Sequence, residues 1–172
     1  MLSCVLVRRN GMDCPKRKQI RLPQFDYSSN GASFVTICTQ DRRCILSDVD
    51  VGEGLAPPAV CLSAIGQCVE QEIHAVTKRY ESVRIDNYVI MPNHVHLIAS
   101  ICEQTGGASP SPTLADIIRV IKSVSSHRCP ELKWQRSYYE HVIRNDRDYE
   151  ETWNYIENNP AKWIDDRYYQ SR

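Results

Sequence analysis

The stretch VRIDNYVIMPNHVHLIAS, residues 83–100, decides the fold. Val83 to Met91 and His94 to Ser100 are apolar, β-branched runs of strand character, and Pro92 with Asn93 supplies a turn signal between them. The segment therefore predicts a tight β-hairpin. Successive side chains of a strand leave by opposite faces, so His94 and His96 share one face while Val95 takes the other. Two imidazoles placed this way converge on whatever lies over that face.

Helical periodicity stands on both sides of the hairpin. In LSAIGQCVEQEIHAVTKRY, residues 62–80, Leu62, Ile65, Val69, Ile73 and Val76 recur three and four apart, with Ser63 as the candidate N-cap. After the Gly, Ser and Pro loop CEQTGGASPSPT (102–113), the run LADIIRVIKSVSSHRC (114–129) repeats the pattern at Leu114, Ile117, Ile118, Ile121 and Val124. A first strand is expected around Phe34 to Thr39, and SDVDVGEGLAPPAV before the first helix reads as a turn or small hairpin. RSYYEHVIR (136–144) alternates as a fourth strand, and DRDYEETWNYIENNP (146–160) is a helix ended by Asn158, Asn159 and Pro160. The order strand, helix, strand, strand, helix, strand, helix predicts an α+β fold. It is a ferredoxin-like split βαβ antiparallel sheet with helices on one face and an additional C-terminal helix carrying Tyr155.

The 172 residues suit one domain, residues 1–172, in which residues 1–30 form a basic arm leading into the first strand. A content of 42% apolar and 24% charged residues is that of an ordinary globular chain, and a net charge of zero excludes a wholly basic surface. A nucleic-acid site must then be a local patch. Arg17 and Lys18, in a run with Arg8, Arg9, Lys16 and Arg21, are candidate phosphate contacts or part of a solvated arm. The eight cysteines are scattered with no C-x-x-C pair, which reads as reduced thiols and a cytoplasmic location. No stretch approaches the roughly 18 apolar residues of a membrane span.

Chemistry enters with the histidines. Imidazole suits several divalent transition ions, and two His with open positions for oxygen ligands suit an ion that also meets a substrate phosphate. The H-x-H pattern alone also fits surface histidines, or core histidines bonded to backbone carbonyls. On the last helix Tyr155 and Asn159 stand four apart and share a face, offering a phenol and an amide oxygen. A phenol of pKa about 10 becomes a useful nucleophile toward phosphorus beside a cation that polarises the phosphodiester. Tyr138, Tyr139 and Tyr149 are rivals for that role. In WQRSYYEHVIR (134–144), Trp134, Arg136, Tyr138 and Arg144 are candidates for stacking on bases and tracking phosphates, and His141 is a further candidate phosphate contact.

MPNHVHLI (91–98) followed by YIENNPAKW (155–163) resembles the HUH single-tyrosine transposase family, particularly the REP-associated tyrosine transposases and their insertion-sequence relatives. RLPQFDYSSNGASFVTICTQDR (21–42) resembles that family's N-terminal strand region, and the block from Trp134 to Pro160 its C-terminal part. The resemblance implies that His94 and His96 are the metal-binding pair, Tyr155 the nucleophile and Asn159 the third metal-side ligand. It also implies Mg²⁺ or Mn²⁺ as the cofactor. Single-stranded DNA with a hairpin or palindromic repeat is the implied partner, cleaved through a 5′-phosphotyrosine intermediate by a monomer or homodimer. Two other classes stay open. One is a domesticated hairpin-DNA-binding protein without transposition activity, and the other a ferredoxin-like protein with a structural or regulatory metal.

Overall fold

A computed structural model describes residues 31–50, 59–102 and 112–170. The basic arm, with Arg17 and Lys18, lies outside the described residues. In chain order the elements are β1 (Gly31–Cys38), β2 (Ser47–Asp50), β3 (Ala59–Leu62), α1 (Ala64–Arg79), β4 (Val83–Ile90), β5 (His94–Ile101), α2 (Leu114–Arg128), β6 (Tyr139–Ile143) and α3 (Asp146–Asn158). Strands β4, β5, β1 and β6 form one sheet in that spatial order, every neighbouring pair antiparallel, while β2 and β3 make a separate two-stranded ribbon. Leaving the ribbon aside, the sequence of elements is β-α-β-β-α-β, the split βαβ arrangement, followed by α3.

The alternation of side chains along the central strands separates two layers. Val35, Ile37, Val95, Leu97 and Ala99 meet Val69, Ile73, Ile117 and Ile121 of α1 and α2 in the main core. Phe34 and Ile98, which leave the sheet on the other side, pack with Ile156 of α3. Strand β5 is buried along its whole length because it is covered on both faces. This explains why the run around the two histidines reads as continuously apolar rather than alternating.

Local chemistry sets the element ends. The Ser63 hydroxyl accepts from the Gly66 amide at the start of α1 and donates to the Ile45 carbonyl at 2.7 Å. Thr113 and Asp116 cap α2 reciprocally, and the Asn145 side chain accepts from the Asp148 amide at the start of α3. The β4–β5 hairpin closes through the Met91 amide, which donates to the His94 carbonyl at 2.8 Å; the turn carbonyls of Pro92 and Asn93 accept from Leu46 and Thr39. Among the described residues no helix is long and apolar enough to cross a membrane.

Gly66 lies where α1 crosses the chain leading into β2. A Cβ built there would stand 2.0 Å from the Leu46 carbonyl oxygen, a backbone atom that cannot swing aside. Gly66→Ala should therefore destabilise the fold by about 3 kcal/mol or more, despite alanine's better helix propensity. Urea unfolding measures this, and an unchanged midpoint would mean that α1 does not press on that carbonyl.

Candidate active site

His94 and His96 emerge from β5 onto the α3 side of the sheet, both fully buried, with their Nε2 atoms 3.1 Å apart. Each ring is held from behind. The Asn93 amide nitrogen donates to the carbonyls of Arg42 (3.2 Å) and Tyr168 (2.8 Å), which turns its Oδ1 toward His94 Nδ1 at 2.8 Å. Because Oδ1 only accepts, His94 carries its proton on Nδ1 and presents a bare Nε2 to the pocket. His96 Nδ1 lies 2.8 Å from the hydroxyl of Thr36, its cross-strand partner on β1. That hydroxyl serves either tautomer, so the state of His96 follows what lies between the two Nε2 atoms. Two lone pairs facing each other at this distance repel unless a cation or a proton intervenes.

α3 supplies the tyrosine. Tyr155, 43% exposed, leans its ring edge-on against Phe34 and His96, with centroids 5.8 and 5.2 Å away, and its hydroxyl stands 3.4 Å from His96 Nε2. One chain thus brings its own tyrosine to its own histidines. Asn159, one turn further on, is buried, and its amide nitrogen donates to Asp166 Oδ2 at 3.0 Å while its own Oδ1 is buried with no hydrogen-bond partner. The orphaned Oδ1 and the two imidazole Nε2 atoms together make a donor set whose chemistry fits a divalent cation.

Past α3 the chain makes a tight turn over Pro160–Asp165 and folds back across the pocket. The carboxylate of Asp166 comes within 4.8 Å of one ring nitrogen of each histidine. The Tyr168 ring stacks on His94 at 4.6 Å, with Trp163 at 6.0 Å. The Arg167 guanidinium lies over the rings of Tyr168 and Tyr139, at 4.6 and 5.4 Å, and the Arg42 guanidinium donates to the Arg167 carbonyl at 3.0 Å. Arg42 and its neighbour Asp41 hold left-handed backbone conformations, φ 53° and 56°, of the kind that costs about 1–3 kcal/mol each at a non-glycine residue. The turn they make contains the Arg42 carbonyl that fixes Asn93.

Electrostatics keep both imidazoles neutral. Burial drives the pKa of His94 well below 6.5, with help from His96, Arg167 and Arg42, and burial with Arg167 pushes His96 down to about 3. Burial also raises the Tyr155 phenol, and the Asp166 carboxylate pushes the same way, against Arg167 and the Asn159 side chain. The phenol therefore needs a cation close by before it is an effective nucleophile.

A pH dependence follows. The unfolded chain protonates these histidines around pH 6.5, whereas the folded chain resists protonation far below that. The unfolded state binds more protons in the window below pH 6.5, so stability falls as pH falls through it, by up to about 1.4 kcal/mol per pH unit for each histidine. Urea midpoints in chelator at pH 7.5 and 5.0 should show the decline, and His96→Leu should flatten it. An equally steep profile in that variant would assign the effect to other groups.

The other residues singled out from the sequence lie elsewhere. Trp134 and Tyr138 pack against the main core on the α1 and α2 side, and the Trp134 indole donates to Ser125 Oγ at 3.0 Å. His141 Nε2 pairs with Asp148 at 2.8 Å, tying β6 to the first turn of α3. Arg136 and Arg144 are exposed, and none of these five is brought to the histidines. Of the rival tyrosines, Tyr139 lies at the rim of the pocket against Phe34, Tyr149 packs on Trp153, and only Tyr155 reaches a histidine nitrogen. Asn93, Thr36, Asp166, Arg167 and Tyr168 were not singled out in the sequence. Asn93 carries a signal in standing next to His94, but its sequence context reads as a turn.

No protein-family model matches the chain. An uncharacterised protein of Haemophilus influenzae is 33% identical, over 89% of this chain and 93% of that protein. The REP-associated tyrosine transposase of Escherichia coli is 35% identical over 53% of this chain, which spans about half, 54%, of that relative's length. A solved structure of a REP-associated tyrosine transposase bound to a REP hairpin superposes with a TM-score of 0.60 at 26% identity, covering 83% of this chain and 73% of the other. In fold and in part of its sequence the chain is thus similar to REP-associated tyrosine transposases.

Proposed function

We propose that the protein is a metal-dependent single-stranded DNA endonuclease and strand transferase that recognises DNA hairpins and cleaves through a 5′-phosphotyrosine intermediate. The observation that carries this reading is the Tyr155 hydroxyl 3.4 Å from His96 Nε2, itself 3.1 Å from His94 Nε2. His94 and His96 would hold Mg²⁺ or Mn²⁺ through Nε2, with the orphaned Asn159 Oδ1 as the amide oxygen on the metal side. When bound, the ion polarises the scissile phosphodiester and tempers its charge.

The protein's own groups do the rest. Tyr155 Oη attacks phosphorus; the Oη–P bond forms as the P–O3′ bond breaks. The phenolic proton is released, and the departing 3′ oxygen takes one up, leaving a free 3′-OH and the 5′-phosphate esterified to the enzyme. Attack on that ester by a second 3′-OH reverses the step on a new strand and restores Tyr155. Arg167, whose charge already reaches both histidines and the phenol, is the cation beside the path of the phosphate. Hairpin DNA as the partner rests on the likeness to REP-associated tyrosine transposases and on the hairpin bound by the solved one.

The test is incubation of the protein with a pool of hairpin-bearing single-stranded oligonucleotides and Mn²⁺, read by denaturing gel and peptide mass analysis. The expected product is a DNA adduct on Tyr155. Hairpin binding with no adduct across the pool would instead indicate a domesticated binding protein. Absence of both binding and adduct would sink the proposal.

A further inference from the structure

We infer that Asp166 is a metal ligand of this site, an anionic oxygen donor delivered by the segment after α3, and that Asn159 is also the bracket that positions it. The inference rests on the proposed function, whose ligands are His94, His96 and Asn159.

The first observation is geometric. A carboxylate oxygen of Asp166 and one ring nitrogen each of His94 and His96 lie within 4.8 Å of one another, the one group of this kind found among the described residues. Only the histidines of that trio adjoin in sequence, so the third member arrives through the tertiary fold. The second observation is that the carboxylate is held from two sides. Asp166 Oδ2 accepts from the Asn159 amide at 3.0 Å, and Oδ1 accepts from the Tyr168 backbone amide at 2.6 Å. Each oxygen keeps a further lone pair, and supporting hydrogen bonds of this kind fix the direction of a ligating carboxylate.

The third observation concerns charge. The Arg167 guanidinium lies over the Tyr168 ring that packs on His94, and the Arg42 guanidinium reaches the Arg167 carbonyl beside it. A divalent cation between two neutral rings with two guanidiniums nearby is opposed by the field unless an anion shares the site. Asp166 is the anion that the fold places there. A mixed set of two imidazole nitrogens, a carboxylate and an amide oxygen also suits Mn²⁺ better than an all-nitrogen pocket does.

Metal binding tests this without any appeal to cleavage. The full chain, stripped with chelator, is titrated with Mn²⁺ by calorimetry or by loss of the free-ion paramagnetic resonance signal. Asp166→Asn, which keeps shape and removes the charge, should weaken Mn²⁺ binding at least tenfold. His94→Ala should weaken it further still. Binding by Asp166→Asn within twofold of the parent, with His94→Ala deficient, would overturn the assignment of Asp166 and leave the histidine site standing. A parent protein that fails to bind Mn²⁺, or a His94→Ala variant that binds it normally, would overturn both.

Because an amide at position 166 must face donors on both sides, the variant's melting in chelator is compared with the parent's. A second measurement uses the same melting curves: Mn²⁺ should raise the melting temperature of the parent more than that of Asp166→Asn, and an equal rise in both would also overturn the inference.

Discussion

Tyr155→Phe should abolish the covalent DNA adduct, lowering its rate of formation by at least about 10³-fold, while hairpin binding stays within a few fold of the parent. The asymmetry comes from how the side chain is held. Its ring packs edge-on against Phe34 and His96, contacts that phenylalanine reproduces. Only the hydroxyl, 3.4 Å from His96 Nε2, is lost. A single part-exposed hydrogen bond contributes about 1 kcal/mol, so the fold should hold. Removing the nucleophilic oxygen leaves nothing else at that place to bond to phosphorus. Denaturing gels of the DNA products with Mn²⁺ read the adduct, and fluorescence anisotropy of a labelled hairpin reads binding. An adduct that survives in Tyr155→Phe would move the role to another phenol, and Tyr139, 45% exposed at the rim of the same pocket, is the first to test.

The pairing of His94 with His96 and the helical face shared by Tyr155 and Asn159 were legible before any coordinates, for one reason. Periods of 2 and 3.6 fix which side chains are neighbours within an element. The same periods placed α1, α2 and the β4–β5 hairpin, because local alternation and packing agree there. What periodicity leaves undetermined is contact between distant segments. Thr36 meets His96 through the register of β1 on β5, a match that involves every residue from Gly31 to Cys38 and is written in no single one. Asp166 follows α3 in a short turn that has no repeat, and in IDDRYY it stands beside Asp165 with nothing in the sequence to distinguish the two. Trp134 and Tyr138 show a related ambiguity. Their composition fits base stacking and core packing equally well, and in the fold both are half-buried against the main core. Thus the elements and the two same-face pairs were readable, while the closing of the pocket was not.

His94→Ala should eliminate cleavage and adduct formation at every Mg²⁺ or Mn²⁺ concentration tested, with hairpin binding retained. The argument turns on why more metal should not rescue it. His94 presents a bare Nε2 only because Asn93, held by the carbonyls of Arg42 and Tyr168, fixes the proton on Nδ1. Truncation to alanine deletes that nitrogen and leaves a void under the Tyr168 ring, which packs on His94 at 4.6 Å. The segment carrying Asp166 and Arg167 then loses its support together with the proposed ligand, so two parts of the site should fail at once. Asn93→Ala separates the two effects. It spares both imidazole nitrogens but releases the tautomer and the Tyr168 carbonyl, so metal affinity should fall by about 10–100-fold, the usual cost of losing a supporting residue. Raising Mn²⁺ should therefore recover cleavage in Asn93→Ala and not in His94→Ala. Were both variants rescued alike, His94 would be supporting the pocket rather than holding the ion, and the nucleophile would depend on His96 and the oxygen ligands alone.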